Sequence, residues 1–351
     1  GGAERVASIL ASELVKQNRE AVVVTHFRAD KEYPVNNNVN VVCLSNLNEA
    51  EYRKKMCTAY LVKLARMLRK ELIRQEPDYI LPFLWTTCVR TDLALMGSSL
   101  KKHVIQTVRN NPAVFPENAM MKKYRNNLVR KSRLTIVQNN QQKQYFPETQ
   151  WDKIKVLPNP VSSTLSQIER CEDKSQFKIV GVGRLENQKN FDLLIDAVAD
   201  VSKKYGNVKL DIYGEGSMKD HLQEHIDCMK LGQKITLKGR SSDYSEIYGS
   251  ASAFVLSSDF EGMPNTLLEA MAVGLPCIST DCPTGPSDII ESGKNGILVP
   301  MGDRNRLSQE IENLIQQNEM REDLAKAAKK TILTRYTPEK ITQKFIDICE
   351  E

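Results

Sequence analysis

Short β-branched runs alternate with longer helical patterns along the whole chain, and this alternation is the feature that most restricts the fold. The runs are mostly apolar on both faces, as strands of a parallel sheet are. Strand, helix and strand in this order predict βαβ units. The helical patterns include 47–76, where leucines recur at helical spacing. The first series of runs lies at 21–26, 38–44, 78–84, 103–108 and 134–138.

A second series follows a break in the pattern. The segment 153–161 ends in Pro-Asn-Pro, and the polar stretch 162–176 precedes the next apolar run. We therefore expect an α/β protein with two Rossmann-like domains, 1–160 and 161–335, that face each other across a cleft. The runs of the second series lie at 177–183, 208–214, 234–239, 252–258, 276–280 and 296–300.

The start of the chain departs from this pattern. A Gly-rich turn runs into a helix at 1–17, and a turn of this kind normally follows a buried strand. The sequence has no such strand before the turn. We expect the natural protein to begin roughly a dozen residues earlier, with one more strand.

Length and composition exclude several classes of protein. A chain of 351 residues exceeds what one core usually supports, and 41% hydrophobic with 26% charged residues is typical of soluble globular proteins. No apolar run approaches the roughly 18 residues of a membrane-spanning helix. The eight cysteines are scattered, without a C-x-x-C pair, which argues against a disulfide framework or a cysteine zinc site and favours a reducing cytoplasm.

The net charge of +5 is unevenly distributed. Residues 1–160 carry 26 Lys and Arg against 14 Asp and Glu, a net +12, whereas residues 161–351 carry 23 against 30, a net −7. A basic half suits nucleic acid, an anionic membrane or a phosphorylated substrate, and composition does not choose among them. Ordinary solvated surface is the further alternative.

Two glutamates flank a turn in the segment 259–280. Glu261 precedes Gly-Met-Pro-Asn, and Glu269 lies within a helix expected to begin after Pro264. The N–H groups of the first turn of that helix, at about 265–267, suit phosphate oxygens, and each carboxylate can accept hydrogen bonds from sugar hydroxyls. A pair of solvated glutamates is the alternative, because this spacing arises easily by chance.

Two cations follow the glycine turn that ends the run at 177–183. Arg184 and Lys189 precede a helical pattern, and cations at the carboxyl end of a strand suit a diphosphate. Two surface cations near a helix start are the alternative. Position 186 is Glu, so the segment is not the G-x-G-x-x-G of a dinucleotide-binding fold. Further turns at 213–222 and 237–244 are expected on the same side of the sheet.

The four segments together resemble the GT-B glycosyltransferases of the retaining family four. Members show the succession G-R-L-x-x-x-K-N, Y-G-x-G, a G-x loop and E-G-x-P-x-x-x-x-E-A-M-A-x-G-x-P, which this chain matches across 177–303. GGAER at 1–5, VLPNPV at 156–161 and the final helix are also similar. The resemblance implies an acceptor-binding first domain, a donor-binding second domain, and a C-terminal helix at 336–351 that packs back on the first.

The resemblance also implies roles for individual residues. Arg184 and Lys189 would hold the donor diphosphate and act in catalysis, Glu269 would bind the ribose hydroxyls, and Glu261 would contact the donor sugar and its developing positive charge. The segment 262–267 would bond sugar and phosphate through its backbone. The donor-binding residues expected on this basis are Gly2, Gly183, Arg184, Lys189, Gly214, Arg240, Gly262, Met263, Pro264, Asn265, Thr266, Leu267 and Glu269.

Segments 107–116, 136–146 and 282–290 are similar to bacterial transferases that add galactose or N-acetylhexosamine to polysaccharide or O-antigen intermediates. Many family members place a histidine in the loop after the fourth strand, where this chain reads Val108-Arg109-Asn110-Asn111. We expect Arg109 or Asn110 to take that place.

We expect no metal site and no cofactor, since a UDP-sugar would be a substrate. The sequence has no Asp-x-Asp, and its four histidines are expected to form no ligand cluster with carboxylates. His221 and His225 lie four apart on a predicted helix, where a solvated face is favoured over a metal site. In a metal-independent mechanism Arg184, Lys189 and helix N-terminal amides would meet the charge of the leaving UDP. Retention without an obvious nucleophile favours attack from the leaving-group face.

The segment 120–133 predicts a basic amphipathic helix in the first domain. Such a helix either covers the sheet or lies on an anionic membrane. We expect a cytoplasmic enzyme, peripheral on the inner face of the cell membrane, that extends a lipid-linked (undecaprenyl-pyrophosphate) oligosaccharide and binds no nucleic acid. The alternatives are a soluble acceptor, a GDP- or ADP-sugar donor, or a sugar-binding protein without activity. An oxidoreductase is disfavoured because neither half carries a dinucleotide fingerprint.

Overall fold

A computed structural model describes residues 2–28 and 33–351 of the chain. Gly1, which opens the GGAER motif, lies outside the described residues. The chain divides into two compact units, Gly1–Pro160 with Pro338–Glu351, and Val161–Thr337. The α/β class predicted from the sequence is confirmed, because both units combine parallel strands with helices.

The helices and strands follow one another in the order predicted for βαβ units. The α-helices are α1 Gly2–Lys16, α2 Glu49–Lys55, α3 Thr58–Gln75, α4 Trp85–Ala94, α5 Ala119–Lys131, α6 Asn140–Gln144, α7 Phe191–Lys204, α8 Lys219–Cys228, α9 Tyr244–Tyr248, α10 Asn265–Val273, α11 Pro286–Ile289, α12 Arg304–Gln316, α13 Asn318–Arg335 and α14 Pro338–Glu350. The strands are β1 Val22–Thr25, β2 Asn40–Cys43, β3 Ile105–Val108, β4 Leu134–Val137, β5 Ile154–Val156, β6 Phe177–Val182, β7 Val208–Tyr213, β8 Ile235–Gly239, β9 Ala253–Leu256, β10 Cys277–Thr280 and β11 Ile297–Val299.

The second unit is built on one parallel sheet. Its strand order is β11-β10-β9-β6-β7-β8. Alternate residues of β9 enter different cores, since Val255 packs with helices α7, α8 and α12 while Phe254 and Leu256 pack with α9, α10 and α13. The sheet is therefore covered by helices on both faces, which explains why its strands are apolar on both sides.

The described strands of the first unit form two parallel sheets, β1-β2 and β3-β4-β5. Helices α1 and α14 cover one face of the three-stranded sheet, where Leu10 and Phe345 pack with Ile105 and Ile136. Helix α5 lies on the opposite face, where Val129 packs with β3 and β4. The last helix of the chain therefore completes the core of the unit that the N-terminal half begins.

Two predictions of secondary structure are wrong. The run 78–84 makes only a single parallel bridge, Ile80 with Val104, because Pro82 has no N–H to donate to a ladder. The helical pattern 47–76 is interrupted after Lys55, where Met56 and Cys57 leave the helical conformation. The predicted basic helix at 120–133 is confirmed as α5.

Candidate active site

Four loops of the second unit lie at one edge of its sheet. Strands β10, β9, β6 and β7 are neighbours and run parallel, so their carboxyl ends meet at the same edge. The segments that leave these ends include the glycine and cation motif after β6, the glycine turn after β7 and the first glutamate after β9. The predicted motifs are therefore brought together by strand order, although they are far apart in the sequence.

A largely buried ion pair lies at the centre of this edge. Lys189 Nζ donates to Glu261 Oε1 at 2.5 Å, and the two side chains are 12% and 8% exposed. Ser258 Oγ donates to the same carboxylate oxygen at 2.7 Å. The pair brings a cation from the loop after β6 against a carboxylate from the loop after β9, and both hydrogen bonds converge on Oε1.

Backbone hydrogen bonds hold these two loops in register. Asp259 N donates to Gln188 O at 2.9 Å, and Gln188 Nε2 donates to Phe260 O at 2.7 Å. Ser257 Oγ donates to the carbonyl of Lys189 at 2.8 Å. The ion pair thus lies on a preorganised frame rather than between two independent loops.

The loop after β10 supports Glu261 from the other side. Thr284 N and Thr284 Oγ1 both donate to Glu261 O at 3.0 Å, and the hydroxyl also contacts Gly262 O at 3.0 Å. At Gly285, with φ +102°, an added Cβ would lie 2.6 Å from Gly262 O. Only glycine therefore fits there, because the two loops approach each other backbone to backbone.

Helix α10 presents the second glutamate. The helix begins after Pro264, which supplies no side-chain cap to the first-turn N–H groups. Glu269 is buried on this helix, and Tyr248 donates its hydroxyl to Glu269 Oε2 at 3.1 Å. Among the described residues the buried Thr266 Oγ1 has no hydrogen-bond partner. The electropositive start of a helix, with a buried carboxylate and an unsatisfied hydroxyl beside it, suits an anionic ligand that also supplies hydroxyl groups.

The glycine turns after β6 and β7 touch each other. A Cβ added at Gly214 would lie 1.8 Å from Gly183 O, and one added at Gly183 would lie 2.9 Å from Cε of Lys189. Backbone packing therefore requires glycine at 214, whereas a Cβ at 183 would displace the side chain of Lys189. The stem of Lys189 runs over Gly183, and this path directs its ammonium group to Glu261.

The remaining predicted donor residues occupy more open positions. Arg184 is exposed, and its Nη2 donates to Gln188 Oε1 at 3.2 Å. Arg240 is exposed directly after β8, the edge strand of the sheet. Gly2 belongs to the first unit, at the start of α1. Met263, Asn265 and Leu267 lie on the turn into α10 and in its first turn.

In the first unit, Arg109 lies at the carboxyl end of β3. Its Nη2 donates to Asn159 Oδ1 at 2.5 Å, Gln138 Nε2 donates to the same oxygen at 2.9 Å, and the guanidinium lies 4.7 Å from the centroid of the Phe83 ring. Burial lowers the pKa of Arg109 to about 10, so the group stays cationic at neutral pH. Arg109, Gln138 and Asn159 follow three adjacent parallel strands, which places a held cation at this sheet edge.

A second polar group in the first unit was not predicted from the sequence. His26, directly after β1, lies with Nδ1 2.8 Å from Arg90 Nη1, and Arg90 lies 5.6 Å from the centroid of the Tyr52 ring. Burial and the charge of Arg90 lower the pKa of His26 to about 4, so the ring is neutral at pH 7. No motif marks this cluster, because its members come from separate elements.

The expectation that the histidines form no ligand cluster with carboxylates is contradicted at His221 and His225. His221 and His225 are on one helix, as predicted, but Asp192 of α7 lies within hydrogen-bond distance of both rings. Asp192 precedes these histidines by 29 and 33 residues, and only the packing of α7 beside α8 brings it there.

Helix α5 carries an exposed apolar and basic surface. Met120 is 74% exposed and Met121 is 42% exposed, and Lys122 and Lys123 follow them. The opposite side of the helix, including Leu128 and Val129, is buried in the unit. Within the part of the chain that the structure describes, no helix has both the length and the apolar character needed to cross a bilayer.

Comparison with known families divides the chain at nearly the same place as its fold. The family described as Glycosyltransferase Family 4 matches residues 1–165, and the family described as Glycosyl transferases group 1 matches residues 166–331. The two matches adjoin and together account for most of the chain.

Curated relatives include two that match over nearly their whole length. AmsD, the amylovoran biosynthesis glycosyltransferase of Erwinia amylovora, is 26% identical over 99% of this chain and 95% of its own. The Campylobacter jejuni α-1,4-N-acetyl-D-galactosaminyltransferase that acts on GalNAc-α-(1→4)-GalNAc-α-(1→3)-diNAcBac-PP-undecaprenol is 26% identical over 94% of this chain and 89% of its own. The chain spans less than half the length of two other relatives, 46% of one and 35% of the other.

Solved structures of glycosyltransferases share the fold. Anabaena HepE in complex with UDP and glucose superposes with a TM-score of 0.80, at 17% identity, over 100% of this chain and 96% of its own. This likeness concerns the fold, which is the GT-B fold predicted from the sequence. With a family 4 domain followed by a group 1 domain, the chain belongs to the GT-B glycosyltransferases of family four and is a transferase of glycosyl groups.

Proposed function

We propose that the protein is a retaining, metal-independent transferase that moves a hexose or N-acetylhexosamine from a UDP-sugar to a lipid-linked oligosaccharide during polysaccharide or O-antigen assembly. The observation that carries the proposal is the Lys189–Glu261 pair at the carboxyl edge of the second sheet. The amylovoran biosynthesis in the name of AmsD supports the polysaccharide part of the proposal, and the undecaprenol-linked substrate in the name of the Campylobacter enzyme supports the lipid-linked part.

The donor diphosphate is assigned to Lys189, Arg184 and the start of α10. Lys189 has three N–H donors and donates one hydrogen bond to Glu261, so the ammonium group has further donors for phosphate oxygens. Arg184 is exposed beside it on the same loop, and α10 contributes the positive end of its dipole. These groups would stabilise the charge that develops on the leaving UDP.

The two glutamates are assigned different tasks. Glu261 Oε1 is occupied by Lys189 and Ser258, so we assign Oε2 to a hydroxyl of the donor sugar. Its negative charge would also stabilise positive charge at the sugar ring. Glu269, held by Tyr248 beside the unsatisfied hydroxyl of Thr266, is assigned to the ribose.

The proposed mechanism uses neither a metal nor a cofactor. Side chains contribute the cations of the site, and these would stabilise the charge of the leaving UDP as a divalent ion does in a metal-dependent transferase. The UDP-sugar is consumed as a substrate. Arg109 is assigned to the acceptor, since a buried cation fixed by Asn159 and Phe83 suits a pyrophosphate oxygen.

The membrane part of the proposal is assigned to α5. Exposed Met120 and Met121 would enter the interface, while Lys122 and Lys123 would meet anionic headgroups. The net +12 of residues 1–160 would attract the same surface. A peripheral position on the cytoplasmic face would then bring the first unit to its lipid-linked acceptor.

The direct test is UDP release with UDP-galactose, UDP-GalNAc and UDP-GlcNAc, with and without an undecaprenyl-pyrophosphate oligosaccharide. We expect acceptor-dependent release with one of these donors and retained anomeric configuration in the product by NMR. Arg184→Ala should slow release about a hundredfold, because it removes a cation that meets transition-state charge. Lys203→Ala, which removes an exposed cation paired with Asp200 in the same unit, should leave the rate unchanged.

Three results would contradict separate parts of the proposal. Release from GDP- or ADP-sugars alone contradicts the UDP assignment. Equal transfer to a soluble oligosaccharide contradicts the lipid-linked acceptor. Wild-type turnover of the Arg184 variant contradicts its place at the diphosphate.

A further inference from the structure

The second unit carries a cluster of imidazole and carboxylate groups on its helical surface. Asp192 lies in the first turn of α7, and His221 and His225 lie one helical turn apart on α8. One ligand atom from each of the three residues lies within 4.8 Å of the others. Among the residues that the structure describes, this is the one group of three or more such side chains with that geometry.

The three ligand atoms converge on one point. Asp192 Oδ1 is 2.9 Å from His221 Nε2 and 2.7 Å from His225 Nδ1. A tetrahedral ion with bonds of about 2.05 Å separates neighbouring ligands by about 3.3 Å. The two oxygen–nitrogen distances therefore need to widen by only about half an ångström to admit such an ion, and His221 is exposed enough to allow this.

The environment of His225 fixes the nitrogen that faces the cluster. Its Nε2 lies 3.1 Å from Asp196 Oδ1, and Arg304 Nη1 holds the other oxygen of Asp196 at 3.3 Å. Nε2 therefore faces Asp196, and Nδ1 faces Asp192. A histidine that binds a metal commonly donates its other N–H to a carboxylate in this way.

The scaffold behind the cluster is rigid. Ile195 of α7 and Leu222 and Ile226 of α8 are completely buried in one core, so the two helices hold the ligands at a fixed separation. The i, i+4 spacing of His221 and His225 presents both rings on one helix face. This rigidity favours binding, because little side-chain and no backbone reorganisation is needed.

We propose that Asp192, His221 and His225 form a surface site for a divalent transition metal of the zinc type, which joins the first turn of α7 to α8. Imidazole with carboxylate suits zinc, nickel, cobalt or copper, whereas magnesium and calcium prefer oxygen ligands. Solvent completes the coordination. The site shares no residue with the candidate donor site, and α7 begins directly after Asn190, so the ion would stabilise the helix that follows the cation loop.

The site is tested by titrating zinc into the protein after a chelator has removed bound metal. Competition with a chromophoric indicator measures the binding. Exposed Cys57, Cys171 and Cys228 are first replaced by serine, since thiolates bind zinc on their own. We expect one zinc per chain with a dissociation constant in the micromolar range. His221→Gln and His225→Gln should each weaken binding at least tenfold. Cobalt at the same site should give the visible absorption bands of a four-coordinate ion.

Two further variants separate this site from other zinc ligands. Asp196→Asn keeps all three ligands and should weaken binding about tenfold, as loss of a partner of a liganding histidine does. His103→Gln is the matched control, because the ring of His103 contacts the carbonyl of Asp78 and, among the described residues, belongs to no ligand cluster, so the variant should bind zinc as the parent does. Absence of stoichiometric zinc, or binding that persists unchanged in both His221→Gln and His225→Gln, overturns the proposal. Circular dichroism confirms that the variants fold.

Discussion

The substitution Lys189→Met tests the donor site through two separate measurements, stability and turnover. Methionine keeps the unbranched stem that lies over Gly183 and removes the ammonium group. Glu261 then loses its ion-pair partner and keeps the hydroxyl of Ser258. The variant therefore leaves a largely buried carboxylate with a single neutral donor.

The expected loss of stability follows from the geometry of the pair. At 2.5 Å two unit charges attract by roughly 7 kcal/mol at an effective dielectric constant of about 20, and desolvation of both groups offsets part of this. Removing one partner of a buried pair costs about 3–5 kcal/mol. Because both side chains keep about a tenth of their surface exposed, we expect the lower end, a loss of about 3 kcal/mol in the second unit.

The expected loss of turnover has a different origin. If Lys189 also donates to the leaving diphosphate, its removal lowers kcat about a hundredfold, which corresponds to about 2.7 kcal/mol of transition-state stabilisation. The double variant Lys189→Met with Glu261→Gln removes the uncompensated charge. It should recover most of the lost stability, and its turnover should remain low.

Hydrogen exchange by mass spectrometry measures the stability of the second unit through peptides that contain Phe177–Val182 and Ala253–Leu256. Both tryptophans, Trp85 and Trp151, lie in the first unit, so their fluorescence serves as an internal control that should not change. Wild-type turnover in Lys189→Met, or recovery of turnover in the double variant, would refute the diphosphate assignment and leave Lys189 a purely structural partner of Glu261.

Four further predictions concern other parts of the molecule. Glu269→Ala should mainly raise the KM for the donor, whereas Glu261→Gln should lower kcat more than binding, and equal small effects in steady-state kinetics would contradict both assignments and leave the two buried glutamates with structural roles. Transfer should survive EDTA, and a complete loss that magnesium or manganese restores would show a metal at the donor site. Because the pKa of His26 falls from 6.5 to about 4 on folding, the first unit should lose about 3 kcal/mol of stability as the pH falls through this window, relative to His26→Gln, in urea unfolding followed by tryptophan fluorescence. Identical pH profiles for the two proteins would contradict this. The protein should sediment with anionic vesicles at low salt and less at high salt, charge reversal at Lys122 and Lys123 should weaken this, and equal binding to neutral vesicles would exclude electrostatic docking.

The alternation of apolar runs and helical patterns was sufficient to predict the α/β class and most strands. The strand prediction for 78–84 is wrong because the apolar pattern of this segment resembles that of a strand, although Pro82 lacks the N–H that a β-ladder hydrogen bond requires. The break after Lys55 has no glycine or proline to mark it, so periodicity alone continued the helix. Both errors arise where hydrogen bonding, rather than apolar pattern, decides the structure.

The sequence predicted individual residues of the site but not the contacts between them. Lys189 was predicted at the carboxyl end of a strand and Glu261 before a helix. Their pairing across 72 positions depends on β6 lying beside β9, and the local sequence does not specify strand order. Tyr248 was missed for the same reason, since α9 reaches Glu269 only through the fold. Asp192 beside His221 and His225 shows that a spacing rule finds ligands on one helix and overlooks a ligand from its neighbour.

The place of α14 has a consequence for biosynthesis. The ribosome makes the chain from its N-terminus, and the first unit lacks Ile341, Phe345 and Ile348 of its core until the whole second unit has been translated. The second unit is contiguous, from Val161 to Thr337, and every residue of it has been made by then. The unit that is begun first is thus completed only after the second unit has been made, and until then Leu10 and Ile105 lack the apolar side chains of α14 that pack against them.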